Sequence, residues 1–372
     1  MIYLDNGATS FHKPPAVAAA MACALENCAN PGRGGYCASM AAARTVLRCR
    51  ETAARLFDCT PEQVVFTGNC TQGLNMAIRT LVKPGSRVVV SGFEHNAVIR
   101  PLHALETEIQ IAGRKLFDPA HTLECFEAAL RKGAEAAVFT HCSNVFGYIL
   151  PVEQIAALCR QYRVPFILDA AQSAGRLPVQ LRTLGADFIA MPGHKGLLGP
   201  MGTGILLCAR LPEPICYGGT GSLSHSPEMP DFLPDRAEAG TLNVPGIAGL
   251  QAGLAWLERR GLARIFKDEC RQAVRCARGL EKLGFHVFSG ENQGGTVSFV
   301  GKSDPEAIAA YLAQRGIAVR AGLHCAPLAH ESAGTMPLGT VRVSFGHDAA
   351  DSQTSALLSA LESLPKRPES CE

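Results

Sequence analysis

Through the first two-thirds of the chain, short apolar runs alternate with stretches in which apolar residues recur every three to four positions. Val64–Thr67, Arg87–Ser91, Ala136–Thr140, Pro165–Asp169, Phe188–Met191 and Gly204–Cys208 read as buried strands. The segments between them, such as Glu124–Arg131 and Val152–Arg160, have helical spacing. This alternation predicts an α/β lobe around a largely parallel sheet. A long helical stretch follows from Ile247 to Leu283, broken near Gly261. Beyond it Gly295–Val300 and Thr340–Phe345 read as strands, with Pro305–Arg315 a helix between them. That change of pattern predicts a smaller C-terminal α+β lobe, with the large lobe spanning 15–255 and the small one made of 1–14 and 256–372. No internal repeat or low-complexity tract interrupts the chain, and the terminal KRPESCE reads as a frayed end.

Composition changes little in this picture. At 372 residues, 47% hydrophobic and 18% charged, the chain has material for more than one core. A net charge of +2 without a basic run argues against nucleic acid as a partner. No apolar stretch is long enough to span a bilayer. MIYLDNGATS lacks the pattern of a signal peptide, so a cytoplasmic location is expected. The fifteen cysteines show no CxxC pair, and their scatter does not suggest a disulfide framework. Most, such as Cys49, Cys159 and Cys276, are expected to be small buried hydrophobes.

In a parallel α/β lobe, ligands bind just past the carboxyl ends of strands. Asp169 ends the strand of VPFILDAAQSAG, with Gln172 just beyond. A carboxylate there needs a cation, a capping role or a salt bridge, and a protonated cofactor ring nitrogen is one such cation. Lys195, in MPGHKGLLGP, lies at another strand end between glycines and after His194. It reads either as a solvated loop lysine or as the amine of a Schiff base with pyridoxal 5′-phosphate (PLP). GPMGTG is not the dinucleotide fingerprint GxGxxG, and GHKG is not a P-loop. After the strand ending at Thr67, Cys70 and Thr71 open a helix whose free N–H groups suit an anion. His95 follows VVVSGFE as an ordinary loop histidine or as a flat ring for stacking.

In this order the pieces resemble the class V, fold-type I PLP enzymes, and within them the cysteine desulfurases. The likeness runs from LDNGATS to VRVSFG. It implies homodimers with a mostly parallel seven-stranded sheet in the large lobe and an α+β small lobe. Carried over by position, Lys195 bears the Schiff base, Asp169 meets the ring nitrogen, Gln172 the ring hydroxyl, and His95 stacks on the ring. Cys70, Thr71 and His194 hold the phosphate, joined by Thr241 of RAEAGTLN reaching from a partner subunit. Asn144, Ala8 and Arg342 line the substrate side, Arg342 as a bidentate clamp for a carboxylate. RAGLHCAPLAH fits the R-x-G-x-H-C-A segment of group II desulfurases and selenocysteine lyases through Arg320, Gly322, His324, Cys325 and Ala326.

The resemblance implies that L-cysteine is bound by Arg342 and that Lys195 removes its α-proton. Cys325 then takes the sulfur as a persulfide and alanine leaves. His95 is an acid/base partner, and the sulfur passes to an acceptor protein. The chain departs from its relatives at Pro192, before GHK, where Ser or Thr is usual, at Leu323 in the cysteine segment, where histidine is common, and at Tyr36 of NPGRGGY, where histidine is frequent. The alternatives are a selenocysteine or cysteine-sulfinate lyase, another class V aminotransferase or β-lyase, and a catalytically silent fold-type I scaffold protein.

Overall fold

A computed structural model describes residues 1–32, 34–301 and 303–365; the frayed end expected for 366–372 lies outside them. Its strands are β1 (Ile2–Tyr3), β2 (Val64–Thr67), β3 (Arg87–Ser91), β4 (Glu108–Ala112), β5 (Ala136–Thr140), β6 (Phe166–Asp169) and β7 (Phe188–Pro192). These are followed by β8 (Gly204–Cys208), β9 (His286–Phe288), β10 (Thr296–Val300), β11 (Ile317–Ala318), β12 (Arg320–Gly322) and β13 (Thr340–Ser344). Every predicted strand is present within a residue of its expected bounds. Seven of them form one sheet in the order β2-β8-β7-β6-β5-β3-β4. Only β8 runs against its neighbours, while the other pairings are parallel.

The period-two geometry of a strand divides the apolar runs between two cores. Val89, Phe139, Leu168, Ile189 and Leu207 face one side. Val88, Val90, Val138, Ile167 and Leu206 face the other. Both faces are covered by helices, so the runs are apolar throughout rather than alternating. On the first side, Phe139 and Phe166 stack at 4.4 Å, and helices Val152–Tyr162 and Val244–Arg260 lie over them. On the second side, Cys70–Leu81 and Asn96–Ala104 contribute Leu74, Ile78, Val98 and Leu102. The break expected near Gly261 separates Val244–Arg260 from Leu262–Lys282. Gly261 has φ 82°, the left-handed region that a residue without Cβ enters at least cost.

A second, antiparallel sheet has the order β12-β13-β10-β9, and β1 pairs with β11 in parallel. Leu4 joins Val297, Phe299, Ile308, Val341 and Val343 in the core beneath it. The first residues of the chain are thereby built into the C-terminal unit. No helix among the described residues is long and apolar enough to cross a membrane. One expectation is corrected: of the fourteen described cysteines, all unpaired, six are buried and the rest are partly or fully exposed. Cys49, Cys159 and Cys276 are interior as expected, whereas Cys23 and Cys37 lie on outward positions of the first two helices.

Candidate active site

Lys195 lies in the turn that leaves β7. Gly193 is required there, because a Cβ would come within 2.1 Å of Thr203 Oγ1. His194 is fastened to the N-terminal segment. Its carbonyl accepts from Ser10 N at 3.0 Å, Thr9 Oγ1 at 3.1 Å and Ser10 Oγ at 3.0 Å. Its Nδ1 lies 3.0 Å from Thr9 Oγ1. The half-buried Lys195 amine is brought down to about 8 by burial, with Asp169 and Cys70 opposing the shift. A lysine so placed is partly neutral near neutrality, as a nucleophilic or proton-accepting amine must be.

Asp169 ends β6 at 2% exposure. Its Oδ1 accepts from Ala171 N at 2.8 Å and from Cys70 Sγ at 3.6 Å. Burial raises its carboxyl above the ordinary range, and the Lys195 charge pulls it back. A carboxylate in that position favours a cation against it. Gln172, also buried, donates from Nε2 to Gly7 O at 2.9 Å. Asn69 caps helix Cys70–Leu81 by accepting from Gln72 N at 2.9 Å. The N–H groups of Cys70 and Thr71 precede the first intrahelical bonds and suit an anion.

His95 caps helix Asn96–Ala104, and its Nδ1 accepts from Ala97 N at 3.0 Å. The ring proton therefore sits on Nε2. Burial, with Lys195, Arg100 and Arg342 adding repulsion, lowers the imidazole to about 4 and keeps it neutral. Glu94 beside it is fully buried. Its Oε1 accepts from Thr140 N at 2.9 Å and from the Ser91 backbone and hydroxyl, while Oε2 has no partner. Burial lifts this carboxyl to about 8.

Arg342 projects from β13 with 2% exposure. Nη1 donates to Asn144 O at 2.9 Å and Nη2 to Asp5 Oδ1 at 2.7 Å, leaving Nε buried without a partner. Asp5 also accepts from Arg320 Nε at 2.9 Å and Nη2 at 2.8 Å. Two guanidinium groups thus share one carboxylate, and a unit of positive charge is left for a ligand. Gly7 keeps the face of Arg342 open, since a Cβ there would lie 3.1 Å from Cζ. Ala8 follows, partly exposed, its N–H bonded to Asp5 O at 3.0 Å.

Cys325 is exposed, on a loop in which His324 and Cys325 both take positive φ, at 49° and 56°. Each such residue costs about 1–2 kcal/mol and persists only where its surroundings hold it. Asn144 Nδ2 donates to His324 O and Asn96 N to Cys325 O, each at 2.8 Å. Asn144 therefore grips the Arg342 guanidinium with its carbonyl and the cysteine loop with its side chain. Cys325, His95 and Thr71 open on one cavity of about 340 Å³.

The other expected positions lie apart. Thr241 is exposed and lines a separate cavity of about 200 Å³ with Gly68 and Gln72. Tyr36 is exposed at the start of helix Cys37–Phe57, and Pro192 closes β7 opposite Gly204. Sequence reasoning missed Asp5, Thr9, Glu94 and Asn96. Asp5 and Glu94 carried a faint signal, as single acids in otherwise apolar or neutral surroundings.

The aminotransferase class-V family model matches residues 2–357. A probable cysteine desulfurase of Methanothermobacter thermautotrophicus is 34% identical over 90% of this chain and 88% of that protein. One from Pyrococcus abyssi is 31% identical over 98% of this chain and 94% of that protein. Among solved structures, the apo cysteine desulfurase of Thermococcus onnurineus NA1 superposes with a TM-score of 0.88 at 32% identity. That match covers 97% of this chain and 94% of the other.

Proposed function

The chain belongs to the aminotransferase class-V family, whose cofactor is PLP, and on that premise we propose that it is a cysteine desulfurase. In this reading it releases alanine from L-cysteine and keeps the sulfur as a persulfide on Cys325. The observation that carries the proposal is the exposed Cys325 on the same cavity as His95 and Thr71. The donor set fits PLP: an amine of lowered basicity at Lys195, a buried carboxylate at Asp169, and the free N–H groups of a helix start at Cys70 and Thr71. His194 and, from a second subunit, Thr241 complete the phosphate site in this proposal, with Gln172 against the ring hydroxyl and His95 over the ring face. When bound, PLP supplies an electron sink for the α-carbon of an amino acid.

The residues then divide the work. Arg342, with Asp5 and Arg320 behind it, receives the substrate carboxylate beside Ala8 and Asn144. The neutral Lys195 amine takes the α-proton and returns a proton to the product. The Cys325 thiolate attacks the substrate sulfur: an S–S bond forms, the C–S bond breaks, and its electron pair stays on the carbon that becomes the methyl group of alanine. His95, neutral with its proton on Nε2, offers a hydrogen bond from that nitrogen. The large lobe of 15–255 carries the cofactor, and the small lobe of 1–14 and 256–372 carries Cys325 and Arg342. A cytoplasmic homodimer that hands its sulfur to an acceptor completes the reading.

The test is incubation of purified protein with L-cysteine, L-selenocysteine and L-cysteine sulfinate, with alanine quantified with and without a thiol reductant. L-Cysteine should give alanine with wild-type protein, and Cys325→Ser should abolish it. Alanine at the wild-type rate from Cys325→Ser removes the assigned role of Cys325. Pyruvate as the main product redirects the assignment to β-lyase chemistry.

A further inference from the structure

The cavity at Cys325 continues outward between helices Cys70–Leu81 and Asn96–Ala104, and its rim is cationic. Arg79 and Arg100 line it together with Ala97, Pro101 and Ala104. No carboxylate lines it among the described residues. Both arginines are exposed, and neither has an ion-pair partner among the described residues. The lining histidine, His95, is neutral. Two guanidinium groups without an ion-pair partner among the described residues therefore set the potential of the cavity that Cys325 lines, beside a short apolar wall of Ala97, Pro101 and Ala104. At about 340 Å³ the space is at the small end of ligand sites.

We propose that this cavity binds the sulfur acceptor and selects a thiol that carries an acid group close to its sulfur, with Arg79 and Arg100 receiving the acid. The inference rests on the persulfide reading of Cys325 and adds the chemical class of what relieves it. The acceptor thiolate attacks the outer sulfur of the Cys325 persulfide. A new S–S bond forms on the acceptor, the S–S bond to Cys325 Sγ breaks, and its electron pair restores the Cys325 thiolate. One sulfur moves and no external oxidant or reductant is consumed. The arginines act on the approach and seating of the acceptor, since guanidinium pairs well with carboxylate and steers it at low salt.

The experiment uses the holoenzyme with L-cysteine and follows alanine under turnover with either 3-mercaptopropionate or cysteamine as acceptor. A second arm uses peptides with one cysteine flanked by glutamates or by lysines. Each thiol is compared between wild type and Arg79→Glu/Arg100→Glu, so that its intrinsic reactivity cancels. The ratio of acidic-thiol to amino-thiol rates should fall about three- to tenfold in the variant, the range expected for two partly solvated charge pairs. It should also shrink in wild type at high salt. The same fall in both arms assigns the site to a cysteine on a carrier chain as well as to free thiols, and a fall only with 3-mercaptopropionate assigns it to small thiol acids. An unchanged ratio in both arms overturns the inference. Absence of the first equivalent of alanine, formed before any acceptor is added, instead overturns the desulfurase reading.

Discussion

Glu94 gives a prediction whose size follows from its surroundings. It is fully buried in the turn just beyond β3, with Oε1 held by Thr140 and Ser91 and Oε2 bare. Its carboxyl is raised from the usual 4.5 to about 8, so the folded chain keeps a proton that the unfolded chain has released. Stability from this group is fully present below the unfolded value and is lost as pH rises through the folded one. At about 1.4 kcal/mol for each pH step, the loss approaches 5 kcal/mol by about pH 8. Glu94→Gln keeps the acceptor for Thr140 N and cannot ionise. Urea unfolding of holoenzyme at several values between about pH 5 and pH 8 should show the variant gaining on wild type by roughly 1 kcal/mol per pH step. A wild-type-minus-variant difference that stays flat across this range refutes the reasoning.

Lys195→Ala should bind PLP without the absorbance of a lysine-bound cofactor, and spectrophotometric titration of the purified variant checks this. Arg342→Lys should raise KM for L-cysteine about tenfold or more, because Lys offers a point charge where a planar fork is needed; steady-state kinetics with an unchanged KM would remove Arg342 from the substrate site. The ion pair of Arg176 and Glu269, 2.7 Å apart with side chains 10% and 2% exposed, joins the turn after β6 to helix Leu262–Lys282. Breaking it with Arg176→Met should destabilise the protein by about 3–5 kcal/mol, and adding Glu269→Leu should recover most of that loss. Chemical denaturation of the single and double variants checks the pair.

The inner strands were legible because both of their faces are covered, which leaves uninterrupted apolar runs such as Ala136–Thr140. Strand β4, EIQIA, was not singled out: it is an edge strand with only Ala112 buried, so its polar residues interrupt the run. Lys195 and Asp169 were found because a parallel sheet delivers its strand ends to one side. Asp5 could not be tied to Arg342 from sequence, because the two lie 337 positions apart and meet only once β1 and β13 are in place. Asn96 contributes a backbone N–H to Cys325 O, and a backbone donor leaves no mark on residue identity. The exposed cysteines show the converse: composition predicted burial that the outward faces of helices did not supply.

The N-terminal segment reaches across almost the entire length of the chain. Gly7 N bonds Ser344 Oγ at 2.7 Å and Asp5 bonds Arg342, while Thr9 and Ser10 fasten His194. During synthesis Asp5 and Gly7 therefore wait for these partners until the last strand has left the ribosome. The large sheet can order before then, because its strands end at Cys208. The sharing of Asp5 by Arg320 and Arg342 is completed last, by closing a loop of maximal length. A leader fused to Met1 would act on that final docking step. Its effect would appear as slow maturation of activity after refolding, with the large lobe already folded.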